Sequence, residues 1–198
     1  MGLNLELNDF QTPLEEDEKE GLLISTITNR ADLDEFEQLG VVETMKWLVG
    51  KRFLYQDVLN IIFIKTLHKK MFSTVWKWAG EFRLTNKNIG IDKSIILEEL
   101  KKLFDDCIYW IENKTFSEDE IALRLSHRLV WIHPFANGNG RLSRLHADVL
   151  INNCFGKPNF TWGAKNLIKE GEARTKYLEA IREADLLNYK PLIRFARM

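Results

Sequence analysis

The residues best suited to chemistry lie in one run, His133-Pro134-Phe135-Ala136-Asn137-Gly138-Asn139-Gly140-Arg141-Leu142-Ser143-Arg144. Gly138 and Gly140 sit just ahead of a helical pattern, where backbone N–H groups can approach an anion closely. A helix N-terminus adds unpaired donors and partial positive charge. Asn139 offers a further side-chain donor. Arg141 and Arg144 are three apart, hence on one helix face, from which two guanidinium forks can reach one polyphosphate. His133 precedes this cradle and as a neutral imidazole can take a proton from an attacking hydroxyl. Together the residue types imply a phosphate grip beside a general base.

Each feature alone has an ordinary explanation. A glycine-rich loop is usually a tight turn, a lone histidine often caps a helix, and paired arginines can be a solvated face or partners of Asp148. Phe135 reads as a core anchor for the loop. His68, His127 and His146 read as structural histidines with no metal-binding spacing. A metal-dependent phosphohydrolase using His127, His133, His146 and Asp148 would need one shared helix face, which their spacing does not provide.

Helices must position this loop. Ser117 with Glu120 forms a capping box ahead of Ile121, Leu125, Leu129 and Ile132, predicting a helix from about Glu118 to Trp131 that stops at His133-Pro134. A second helix runs from Arg141 to Asn153, ended by Gly156 and Pro158. Upstream, Leu33, Phe36, Leu39, Val42, Met45 and Trp47 suggest a helix from Asp32 with Thr28 or Asn29 as cap. Residues 55–72 and 95–113 continue in the same period. Two further helices are expected near Ala164–Ala184 and Lys190–Arg197. Between Gly80 and Ile91, short apolar pieces flank Thr85, Asn86, Lys87 and Asn88, which predicts a small β-hairpin. Residues 1–27, with the acidic run Glu15–Glu20, read as a surface lead-in with little chemistry, leaving 28–198 as one mainly α domain.

The bulk numbers agree with one core: 198 residues, 45% hydrophobic and 11% aromatic. With 28 basic against 29 acidic residues, there is no broad basic field for nucleic acid, nor a basic recognition helix, so DNA is not an expected partner. No secretory signal and no run near the ~20 apolar residues of a membrane span are visible, and Cys107 and Cys154 lack metal spacing; a cytoplasmic, soluble chain with reduced thiols is the expectation.

The run His133–Arg144 resembles the Fic family signature H-x-F-x-(D/E)-G-N-G-R-x-x-R, matched everywhere except at Asn137. The helical pattern with one hairpin upstream is similar to the Fic (Fido) fold over roughly residues 40–195. His68-Lys69-Lys70-Met71-Phe72, Trp76-Lys77-Trp78-Ala79-Gly80, Asn88-Ile89-Gly90 and the proline-asparagine form of the motif resemble the subgroup called mobile mystery protein B.

The resemblance implies AMP transfer from ATP, with Mg²⁺, to a Ser, Thr or Tyr hydroxyl of a target protein. It implies His133 as base, Gly138, Asn139 and Gly140 as anion hole, Arg141 on the β-phosphate and Arg144 reaching the γ-phosphate. Residues 82–91 correspond to the flap that aligns the target by strand addition, with Asn88, Ile89 and Gly90 at its tip. Gly140 favours AMP transfer, because related Doc kinases carry lysine there and bind the nucleotide reversed. Asn137 replaces the usual Mg²⁺-holding carboxylate with a neutral amide, which lowers metal affinity. That departure supports a second reading, a nucleotide-binding module of a toxin–antitoxin-like system without transfer.

No (S/T)-x-x-x-E-(G/N) inhibitory motif is present, since Glu20-Gly21, Glu112-Asn113 and Glu170-Gly171 are preceded four residues before the glutamate by Glu16, Ile108 and Asn166. By family analogy, either a separate antitoxin-like partner or another segment silences the protein, the helix Leu33–Trp47 being the candidate. The oligomeric state is left open.

Overall fold

The computed structural model describes residues 16–163 and 170–198. Most of the acidic lead-in and the start of the helix expected from Ala164 lie outside those residues. In chain order the helices are α1 (Glu16–Lys19), α2 (Arg30–Leu48), α3 (Tyr55–Val58), α4 (Ile61–Phe72), α5 (Ile96–Glu112), α6 (Glu118–Ile132), α7 (Asn139–Asp148), α8 (Glu170–Asp185) and α9 (Lys190–Arg197).

Their starts follow from capping. Asn29 accepts from Asp32 N–H at 3.0 Å, Asn60 from Phe63 N–H at 2.9 Å and Ser117 from Glu120 N–H at 3.2 Å. Asn60 splits the single helix expected over 55–72 into α3 and α4, because its side chain starts a new helix there. Beyond α7 the chain continues as a π-helical turn, Val149–Cys154, in place of a straight helix to Asn153. Asn153 of that turn donates to Leu48 O at 2.9 Å and Lys51 O at 2.8 Å, pinning the end of α2.

Helix α6 is the centre of the core. Ile121, Ala122, Leu123, Leu125, Leu129 and Ile132 are all buried, on more than one face, as expected of a helix enclosed by others. It packs on α5 through Leu100, Leu103, Phe104 and Cys107 and on α7 through Leu142, Leu145 and Ala147. Helix α2 lies on α4 so closely that a Cβ at Gly40 would stand 2.1 Å from Met71 O.

Two expectations change. Helix α2 buries Leu33, Glu37, Gly40, Val41, Thr44 and Leu48, whereas Phe36, Leu39, Val42 and Met45 are exposed. The close approach at Gly40 selects that face over the more apolar one. Residues 82–91 form no β ladder; an isolated antiparallel bridge joins Leu22 to Trp76 elsewhere in the chain. Side chains replace the ladder. Arg83 donates to Thr85 O at 2.7 Å and also to Ile91 O, and Asn86 donates to Asp92 at 2.7 Å. The flap is therefore a cross-braced loop.

Candidate nucleotide site

Helix α6 ends at His133, which adopts the left-handed conformation with φ 54° and ψ 59°. That conformation costs a non-glycine residue about 1–2 kcal/mol. The surroundings hold it in place: Arg83 Nε donates to His133 O at 2.7 Å, and Arg83 N–H donates to Pro134 O at 3.0 Å. Gly90 of the flap sits against the His133 side chain, where a Cβ would approach His133 Cβ to 2.6 Å, and its φ of 96° also requires glycine. The imidazole Nδ1 lies 3.3 Å from Val130 O, so Nδ1–H donates and the ring is the tautomer unprotonated at Nε2. Burial pushes the His133 pKa down to about 4, with Arg83 and Lys87 adding in the same direction, so the ring is neutral at ordinary pH.

The loop after His133 is folded by its own residues. Phe135 is fully buried and stacks on His68 with centroids 3.8 Å apart. His68 Nδ1 accepts from Gly80 N–H at 2.9 Å, so Nε2–H donates to Asn137 O at 3.1 Å. Asn139 accepts from Phe135 N–H at 2.9 Å and donates to Phe135 O at 2.8 Å. The donor expected of the Asn139 side chain is thus used inside the loop, which leaves the backbone to face an anion. Gly138 caps α7 with φ 77° and, having no side chain, gives the first-turn N–H groups no cap bond. A Cβ at Gly138 would come 2.5 Å from the Phe72 ring, whereas one at Gly140 would meet only Arg144 Nη1, at 3.8 Å. Space above Gly140 is open.

The two arginines leave α7 toward different elements. Arg144 lies over the Tyr177 ring of α8 at 5.6 Å. Arg141 lies over Phe72 at 5.0 Å and forms an ion pair with Glu37 of α2. Glu37 was not among the candidate residues. It is 0% exposed and accepts from Trp76 Nε1 at 2.5 Å, from Asn137 Nδ2 at 2.7 Å and from Arg141. A visible signal was present: Leu33, Glu37, Gly40, Val41, Thr44 and Leu48 share helical spacing, with one acid in the stripe. A carboxylate against two motif side chains also accounts for Asn137, since an aspartate there would face Glu37 with like charge.

The flap is braced from the lead-in as well. Glu18 of α1 pairs with buried Lys87 and accepts from Thr85 Oγ1 at 3.2 Å, so this segment, read as having little chemistry, contacts the functional loop. The other histidines are held elsewhere, His127 by Asp185 at 2.8 Å and Tyr189 at 3.0 Å, and His146 by Val58 O at 2.8 Å. Asp148 accepts from Phe160 N–H at 3.0 Å and Trp162 Nε1 at 2.9 Å. These side chains are engaged in separate contacts and do not converge with His133.

The described residues do not fit a resident magnesium site. No group of three or more His, Cys, Asp or Glu among them is arranged to hold a metal, and the one carboxylate at the loop is taken up by three donors. Asn137 would contribute a single neutral oxygen.

Comparison with known proteins gives consistent results. Residues 58–151 match the sequence model of the Fic/DOC family. Two relatives are protein adenylyltransferases Fic: that of Nematostella vectensis is 24% identical over 173 residues, covering 85% of this chain and 39% of its own length. That of Aedes aegypti is 26% identical over 163 residues, covering 80% and 31%. The chain thus spans well under half of either relative. Among solved structures, Fic-1 (residues 134–508) of C. elegans superposes with a TM-score of 0.65 at 21% identity over 90% of this chain and 51% of that one. BepC of Bartonella tribocorum, with bound AMPPNP, gives 0.64 at 19% over 92% and 97%.

Proposed function

We propose that this chain, which carries a Fic/DOC family domain, moves AMP from ATP onto a Ser, Thr or Tyr hydroxyl of a target protein. The observation that carries the reading is a buried, neutral His133 at the end of α6, one short loop ahead of the glycine-capped helix α7 that carries Arg141 and Arg144. The target oxygen attacks the α-phosphorus, its proton passes to His133 Nε2, and the bond to the β-phosphate oxygen breaks as pyrophosphate leaves. A base whose pKa is about 4 takes the proton only as the new P–O bond acidifies the hydroxyl. Backbone N–H groups at Gly138–Gly140 and the two guanidinium groups take up the phosphate charge. Magnesium, in this reading, arrives with the nucleotide's phosphates.

Regulation is part of the same proposal. Glu37 occupies Arg141, so a β-phosphate must displace it, and α2 silences the site from within. This is the role anticipated for the helix Leu33–Trp47. The neutral Asn137 and the closed cradle also favour a second reading, nucleotide binding without transfer in a toxin–antitoxin-like pair. The subgroup likeness to mobile mystery protein B and a cytoplasmic setting, where Cys107 and Cys154 stay reduced, belong to the proposal too. Mass spectrometry of lysate proteins after incubation with ATP decides between the readings. AMP adducts made by wild type or Glu37→Gln and absent with His133→Ala support transfer. Binding without adducts in both supports the module.

A further inference from the structure

The outward face of α2 presents Glu35, Leu39, Val42 and Lys46, followed just past its end by Val49, all exposed and spaced alternately four and three residues apart. That is the seam of a two-helix coiled coil, in which alternating positions stay on one line. Leu39 and Val42 form its apolar centre, and exposed Phe36 and Met45 widen it on either side. No other described element covers them: Leu39 is 56% exposed and Val49 80%.

We propose that this face docks against the same face of a second copy of the chain, the two α2 helices running antiparallel about a two-fold axis between Leu39 and Val42. The self-complementarity of the seam identifies the occupant. About that axis Leu39 meets Val42 of the second copy, with Phe36 and Met45 flanking the contact on opposite sides. Glu35 meets Lys46, so the apolar centre of the seam is opposed by an apolar residue and the acid beside it by a base, while Val49 falls opposite Asp32 at the ends. Parallel pairing would instead set Glu35 on Glu35 and Lys46 on Lys46. Lys46, now paired with exposed Glu43 at 2.6 Å, has only a solvated local contact to exchange. The seam lies opposite the face that carries Glu37, so docking leaves the arginines of α7 uncovered by the second copy. This inference stands independently of the transfer reading.

The test is the mass of the full chain by light scattering after gel filtration, from ~1 µM to ~0.1 mM, where mass action populates a dimer. Wild type is expected to shift to twice the monomer mass and Leu39→Glu to remain monomeric, with unchanged helical circular dichroism because the position is exposed. Glu35→Lys and Lys46→Glu are each expected to weaken association by tenfold or more, and the double variant Glu35→Lys/Lys46→Glu to recover it. A wild type that stays monomeric throughout overturns the proposal, and so does a dimer indifferent to Leu39→Glu. A double variant no better than the singles overturns it as well, leaving this face to a helix of another protein.

Discussion

Glu37 and Asn137 are best understood as a pair. A fully buried carboxylate is tolerated only when its oxygens are filled, and Trp76, Asn137 and Arg141 fill them. Loss of one partner is therefore unequal to loss of the other. Arg141→Ala leaves a buried charge without its counter-ion and is expected to lower stability by about 3–5 kcal/mol in urea unfolding. Adding Glu37→Gln should return most of that loss, and a double variant as unstable as Arg141→Ala would refute the coupling. Glu37→Gln alone frees the guanidinium for phosphate. ATP affinity measured by calorimetry is expected to rise on the order of tenfold, the equivalent of about 1.4 kcal/mol. The motif and its departure at Asn137 were legible in the sequence, but the reason for the departure was not. It lies on a helix a hundred residues earlier in the chain, and only the fold brings the two together.

At the scale of elements, the flap and the end of α6 are one unit, joined by Arg83. Its guanidinium spans His133 O, Thr85 O and Ile91 O from a buried position. Arg83→Gln is expected to lower the transfer rate by about a hundredfold, the usual cost of a base misplaced by about 1 Å. ATP affinity should change little if, as proposed, α7 holds the phosphates; an equal loss of both would place Arg83 in the nucleotide site itself. Helix periods and caps were readable because Asn29, Asn60 and Ser117 act locally. The faces were less so. In α2 the apolar series at every third residue, Phe36 to Met45, outweighed the true inner stripe, whose small and polar members Gly40 and Thr44 carry little hydrophobic signal. The flap read as a hairpin because its turn residues are those of a hairpin, while its actual cross-links come from side chains.

For the whole molecule, buried histidines set the pH response. Burial lowers His68 to about 3 and His133 and His146 to about 4, against 6.5 when unfolded. Above 6.5 both states are neutral and pH has no effect through these groups. As pH falls through 6.5 the unfolded state alone gains protons, so stability drops progressively toward pH 4. Asp148, raised to about 6 by burial, works the other way, but it is one group against four, since burial lowers His127 too. The urea midpoint is expected to be lower at about pH 5 than at about pH 7, and an unchanged or higher midpoint would contradict the burial of these rings. The flap and α2 meet the loop between α6 and α7, and the N-terminal segment from Glu18 to Leu23 braces the flap and residues 75–78. The loop proposed to bind the nucleotide's phosphates is thus held by a carboxylate of the chain itself.

The reaction proposed for that loop is tested most directly by following label. Purified Glu37→Gln chain and lysate protein are incubated with ATP labelled at the α-phosphate or, separately, at the γ-phosphate. AMP transfer predicts protein-bound label from the α-labelled nucleotide alone, lost in Glu37→Gln/His133→Ala by about a hundredfold or more. Label from the γ-phosphate, or none from either, would contradict it.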